Sequence, residues 1–119
     1  MEIKANQLAE RLLDYGVGIF NLTMKLEASL PGKHIGGQLF RAGTSAGANY
    51  EEACGAESKA DFIHKLQIVL KELRESHYWL RLLLKSDTVQ NFNINSLIEE
   101  TKQLINIIAK SVITAKKKK

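Results

Sequence analysis

Gly43-Thr44-Ser45-Ala46-Gly47 matches G-x-S-x-G, the elbow that presents the serine nucleophile of α/β-hydrolases. Asp61 and then His64 or His77 follow in the order that such a triad takes. The elbow needs a strand running into a sharp turn. Gln38-Leu39-Phe40-Arg41-Ala42 precede it in a helical rhythm instead, and the chain lacks strands for a hydrolase sheet, so Ser45 is not read as a nucleophile. The same glycines fail as a phosphate loop, because no Gly-Lys-Ser/Thr ends them. His34, His64, His77 and Cys54 show neither H-x-x-x-H nor C-x-x-C spacing, which speaks against a metal site. No catalytic, cofactor-binding or metal-ligating residue is assigned.

A polar stripe is more informative. Gln38, Arg41, Ser45, Asn49 and Glu52 recur at steps of three and four, which places them on one helix face beside a small, apolar one. Two readings stay open for it: a solvated face, or side chains placed to hydrogen-bond a particular partner. Tyr78 and Trp79 are read as core or subunit interface ahead of a base-stacking platform. His77 is read as a packed or interfacial side chain and Cys54, among alanines, as a small buried hydrophobe.

Four helices must position these residues. Leu8, Leu12, Tyr15, Ile19, Leu22 and Leu26 form the seam of the first, which Pro31-Gly32 is expected to close. Lys33 to Gly55 is rich in glycine, yet Ile35, Leu39, Ala42, Ala46, Asn49 and Ala53 keep a heptad rhythm. A structureless stretch of this length is improbable in so small a domain, so the segment is read as a close-packed helix. Its Ala42, Gly43, Ala46 and Gly47 then admit another backbone closely. Ser58 to Lys85 is the clearest helix, with Phe62, Leu66, Val69, Leu73, Ser76, Leu80 and Leu83 on its seam and Ser58 as its cap. A fourth runs from about Asn93 to Ala115, capped by Asn93, Asn95 or Ser96. Short connections between long helices predict an all-α, up-down-up-down antiparallel four-helix bundle. It forms a single domain over 1–119, with a short basic tail at 116–119.

The 119 residues, 45% hydrophobic and 25% charged, suit one globular unit and are too few for a large barrel enzyme. One cysteine excludes an internal disulfide, and the charged N-terminal stretch has no apolar core of signal-peptide length. A cytoplasmic setting without a membrane span is expected. The net charge of +4 resides in Lys116, Lys117, Lys118 and Lys119; without them thirteen basic residues face thirteen acidic ones. By this count no strongly basic face is implied, although the tail lysines remain candidates for nucleic-acid contact.

The segment GKHIGGQLFRAGTSAGANYEEACGAESKADFIHKLQIVLKELRESHYWLRLLL resembles the four-helix-bundle proteins encoded within intervening sequences of bacterial large-subunit ribosomal RNA genes. The likeness rests on Gln38, Arg41, Ser45, Asn49 and Glu52-Ala53, then on Ser58, Lys59, Phe62, Lys65, Lys71-Glu72, Glu75 and Tyr78-Trp79-Leu80. Ala46 stands where the family more generally has Ile or Val. The resemblance implies a homo-oligomer, by analogy a homopentamer, whose biochemical role is not established. Accessory proteins of diversity-generating retroelements resemble the same bundle, which extends the implication to nucleic acid.

Two functions are weighed. One is a non-enzymatic oligomeric scaffold that binds structured RNA or another protein, with no small-molecule substrate, cofactor or membrane. The other is an RNA-processing or catalytic factor, for which no convergent acid, base and nucleophile set is seen. Self-association is expected because Leu13, Val17 and Phe20 on the first helix and Ile107 and Ile113 on the last fall outside a single seam. A hairpin folded near Glu57 sets Arg41 opposite position 73, within reach of Glu72 or Glu75. This predicts an ion pair backed by Gln38 and Ser45, with Gly36 and Gly37 leaving room for His77, Tyr78 or Trp79.

Overall fold

The computed structural model describes residues 4–118 and consists of α1 (Ala5–Thr23), α2 (Leu30–Cys54), α3 (Lys59–Ser86) and α4 (Ile94–Lys117). Each helix begins where a side chain or chain geometry satisfies free backbone donors. The Ser29 hydroxyl accepts from the Gly32 amide at 3.1 Å, Ser58 from Asp61 at 3.0 Å, and the Asn93 carbonyl oxygen from Ser96 at 3.1 Å. Pro31 and Gly32 do not close the first helix as expected. That helix ends at Thr23, and Pro31 sits in the first turn of α2, where its missing N–H costs nothing because no acceptor precedes it. A Cβ at Gly32 would fall on the Glu27 carbonyl oxygen, so the turn into α2 requires glycine.

Consecutive helices pack along their lengths, α1 meets α4 least, and the diagonal pairs lie further apart. The result is an up-down-up-down four-helix bundle of 49 × 26 × 20 Å. Its core is the predicted seam: Leu12, Ile19 and Leu22 from α1, Leu39 from α2, Leu66, Leu73 and Leu80 from α3, and Leu104 and Ile108 from α4. On α2 the buried row passes through Tyr50 where the heptad count pointed to Asn49. A straight helix has 3.6 residues per turn, so a strict seven-residue stripe drifts off the buried face within a few turns.

The small residues of α2 do what their type suggests. Ala42 and Ala46 are wholly buried, and a Cβ on Gly43 would stand 2.7 Å from Ile19 Cγ1. A Cβ on Gly16 of α1 would in turn lie 4.0 Å from the Gly43 carbonyl oxygen, so the α1 and α2 backbones approach through this pair. No helix among the described residues is long and apolar enough to cross a membrane.

Polar contacts also lie inside the core. The Thr101 hydroxyl donates to the Leu97 carbonyl oxygen at 2.6 Å, which spends its only proton, so the Tyr15 hydroxyl donates to Thr101 Oγ1 at 2.7 Å. Burial pushes the Tyr15 phenol up to about 12, from an ordinary 10.0, and burial acts likewise on Tyr50. A folded-state pKa above the unfolded one gives stability that is complete below the unfolded value and lost as pH rises through the folded one. Unfolding free energy should therefore hold up to about pH 10 and decline towards pH 12. Chemical denaturation across this range should show a shallower decline for Tyr15→Phe, with the Tyr50 share remaining; an unchanged slope would refute the assignment.

Candidate functional site

The polar stripe of α2 lies against α3. Arg41 Nη1 donates to Glu72 Oε2 at 2.7 Å, while Nη2 reaches Glu75 Oε1 at 2.7 Å and Oε2 at 2.6 Å. The side chains are exposed to different degrees, 48% for Arg41, 31% for Glu75 and only 7% for Glu72. Glu72 Oε1 is buried without a hydrogen-bond partner, so Arg41 alone answers that carboxylate. Hydrogen bonding from Arg41 holds the Glu75 carboxyl below the usual range, and the Trp79 indole N–H adds a second donor at 3.1 Å. About three turns further along α2, Glu52 takes Lys65 of α3 at 2.8 Å.

The predicted pairing of Arg41 with Glu72 and Glu75 is thus present, but its predicted support is not. Neither Gln38 nor Ser45 makes a side-chain hydrogen bond among the described residues, and Asn49 donates back to the Ser45 carbonyl oxygen at 2.9 Å. Arg41 already spends its guanidinium on two carboxylates of the facing helix, and Asn49 satisfies its amide within its own turn. Gly36 and Gly37 do not make room for the aromatics either. A Cβ on Gly36 would approach Leu26 Cδ1 at 3.3 Å, and one on Gly37 would meet nothing within 4 Å. Tyr78 and Trp79 meet edge to face at 5.1 Å, and His34 meets Trp79 edge to face at 5.9 Å. Trp79 is partly buried, whereas Tyr78 is 56% exposed.

Ser45 lies in the middle of α2, so the segment has helix geometry where an elbow would need a strand and turn. Among the described residues no hydrogen bond joins Ser45 to Asp61, His64 or His77, and no three acidic, His or Cys side chains converge as metal ligands. Cys54 is exposed, not buried as its neighbours suggested, because it ends α2 at the turn. Lys116, Lys117 and Lys118 are exposed, and Lys119 lies outside the described residues.

Three features were not assembled by the sequence reading, which had marked Leu13, Val17 and Phe20 as apolar residues outside the seam without their partner Phe40. Arg11 of α1 forks onto Glu100 of α4 at 2.7 Å through two nitrogens and reaches Gln103 at 2.7 Å, which clasps the least packed side of the bundle. A groove of about 640 Å³ between α1 and α2 is lined by Leu13, Val17, Phe20 and Phe40, with Glu10 and Glu51 on its rim. On α3, Lys71, Arg74, Tyr78, Arg81 and Lys85 are all exposed. The last two were legible as steps of three and four outside the seam.

The family model of 23S rRNA-intervening sequence proteins matches residues 4–110. Among solved structures, a protein of unknown function from the S23 ribosomal protein family of Bacteroides thetaiotaomicron is 34% identical, with a TM-score of 0.83. The match covers 92% of this chain and 98% of that one. No curated protein sequence matches. A family match over nearly the whole bundle, joined to a shared fold at this identity, means that the chain belongs to the 23S rRNA-intervening sequence protein family.

Proposed function

We propose that this chain is a non-enzymatic scaffold that assembles with copies of itself and, as an assembly, holds a macromolecular partner. The observation that carries the reading is the apolar groove of α1 and α2. Leu13, Val17 and Phe20, with Met24 just beyond the helix, follow steps of four and three and are all exposed. This is the spacing of a second seam, which suits another helix. Phe20 and Phe40 close its floor with ring centroids 6.1 Å apart.

The occupant we favour is α4 of a second copy. Ile113 is exposed near the end of α4, with Lys110 and Lys117 three and four residues away on the same face. Those cations suit Glu10 and Glu51 on the groove rim, and none of the four has an ion-pair partner among the described residues. A groove on one side that takes a knob from another side is a head-to-tail contact, which forms a ring when the rotation between copies closes and a filament when it does not. A ring of five, as the family resemblance implies, is one such closure.

Multi-angle light scattering should give a mass that is a multiple of 13.3 kDa. Val17→Glu/Phe20→Glu should reduce it to the single-chain mass with helicity intact. A wild-type monomer at micromolar concentration would overturn the proposal.

A further inference from the structure

The outward face of α3 carries charge of one sign. Lys71, Arg74, Tyr78, Arg81 and Lys85 form a stripe turned away from the buried row of Leu66, Leu73 and Leu80. Towards the start of the helix the same stripe continues through the exposed Gln67, His64 and Ala60, and no acid interrupts it. The acids of α3 lie elsewhere, Glu72 and Glu75 against Arg41 and Asp61 in the first turn. None of the four cations enters an ion pair among the described residues. At 1.5 Å per residue, Lys71 to Lys85 spans about 21 Å.

Net charge is a poor guide to such a surface. Screening at physiological salt limits an exposed charge to about 8 Å, so a ligand lying on α3 responds to these four cations and not to acids across the bundle. The field also reaches the α3/α4 flank, where burial first, then Arg81 and Lys102, hold His77 below its ordinary pKa.

Tyr78 stands in the middle of the row. Its ring packs nearly perpendicular to that of Trp79, with centroids 5.1 Å apart, and Trp79 is itself held by its hydrogen bond to Glu75 and by His34. The exposed ring is therefore set against a fixed neighbour. Cations that follow a backbone, with an aromatic face between them for a base, are the means by which proteins hold unpaired strands.

We propose that the outward stripe of α3 binds a single-stranded polynucleotide, with Lys71, Arg74, Arg81 and Lys85 on its phosphates and a base stacked on Tyr78. This names the partner of the scaffold proposed above and rests on that reading only in taking the partner to be a macromolecule. The apolar groove belongs to α1 and α2, and α1 lies diagonally across the bundle from α3. The stripe shares no residue with the groove or with Lys110, Ile113 and Lys117 of α4.

Fluorescence anisotropy of the full chain with labelled oligouridylate and oligothymidylate of about twelve nucleotides tests this. Log affinity should fall against log salt with a slope of about −3, since each single-strand phosphate contributes about −0.7. Lys71→Gln/Arg74→Gln and Arg81→Gln/Lys85→Gln should each remove about half of that slope and weaken binding at least tenfold. Tyr78→Leu should weaken it at least about fivefold with the slope unchanged. Lys118→Gln/Lys119→Gln should stay within about twofold. Preference for the uridylate assigns RNA as the source of the strand, and preference for the thymidylate assigns DNA.

The proposal is overturned if both α3 double variants bind as the wild type does, or if only the tail variant loses binding. Equal affinity for a duplex with no effect of Tyr78→Leu also overturns it, as does polyglutamate competing equally charge for charge. Light scattering on the same samples separates the two readings: a monomer that binds through the stripe removes the assembly alone, and an assembly that binds no strand removes this inference alone.

Discussion

Gly43→Val should cost about 3 kcal/mol, the upper end for forcing extra volume into a packed core, and lower Tm by about 10 °C or more. A Cβ at this position would stand 2.7 Å from Ile19 Cγ1, 2.9 Å from Cγ2 and 3.1 Å from Cβ. Ile19 is wholly buried and branched at Cβ, so it has no alternative rotamer into which to retreat. Gly43→Ala sets two effects against each other. Alanine gains about 1 kcal/mol of helix propensity over glycine, but the clash costs more, leaving a net loss of about 1 kcal/mol. Gly37→Ala, in the same helix with nothing within 4 Å of the new Cβ, should instead stabilise by nearly the full propensity difference. Thermal unfolding of the three variants decides the matter: a stabilised Gly43→Ala would show that α1 and α2 are not held at this separation.

Arg41→Ala should destabilise by about 2–3 kcal/mol. The lower part of the range for breaking a buried pair applies, because only Glu72 is taken out of water while Arg41 is half exposed. Its loss leaves a buried carboxylate whose second oxygen already lacks a partner. Double-mutant cycles should therefore give a larger coupling with Glu72 than with Glu75, which is 31% exposed and bound more as a surface pair. The shorter, two-oxygen contact to Glu75 would suggest the opposite order from distance alone, so the cycles distinguish burial from geometry as the source of the energy. Zero coupling with both would mean that the clasp does not hold the register of α2 on α3.

The bundle was legible because its evidence is local. Caps at Ser58 and Asn93, and apolar residues at helical spacing from Leu8 to Val112, act within one or two turns of chain. Glycine content argued against α2, yet its rhythm prevailed, since a small residue in a seam exchanges propensity for close packing against α1. Arg41 with Glu72 and Glu75 was reached by counting back from a short turn, which works while two helices run antiparallel without offset. The same count placed Gly36 beside the aromatics and failed, because over nearly six turns it ignores which way each residue faces.

Sequence patterning established that this chain is an all-α bundle and which rows of residues are buried, because 3.6-residue periodicity is a property of one helix at a time. Contacts between helices distant in the chain were another matter. The fork of Arg11 onto Glu100 joins residues 89 positions apart, and the groove between α1 and α2 exists only once Phe40 is brought beside Phe20. Charge shows the difference most plainly. Counted along the chain, the body is neutral. Folding turns Glu72 and Glu75 inward onto Arg41 and leaves Lys71, Arg74, Arg81 and Lys85 outward and without an ion pair among the described residues, so a balanced composition acquires a one-signed face. Composition sums charges without direction; packing of the apolar seam gives each a direction, and the field at the surface follows from that.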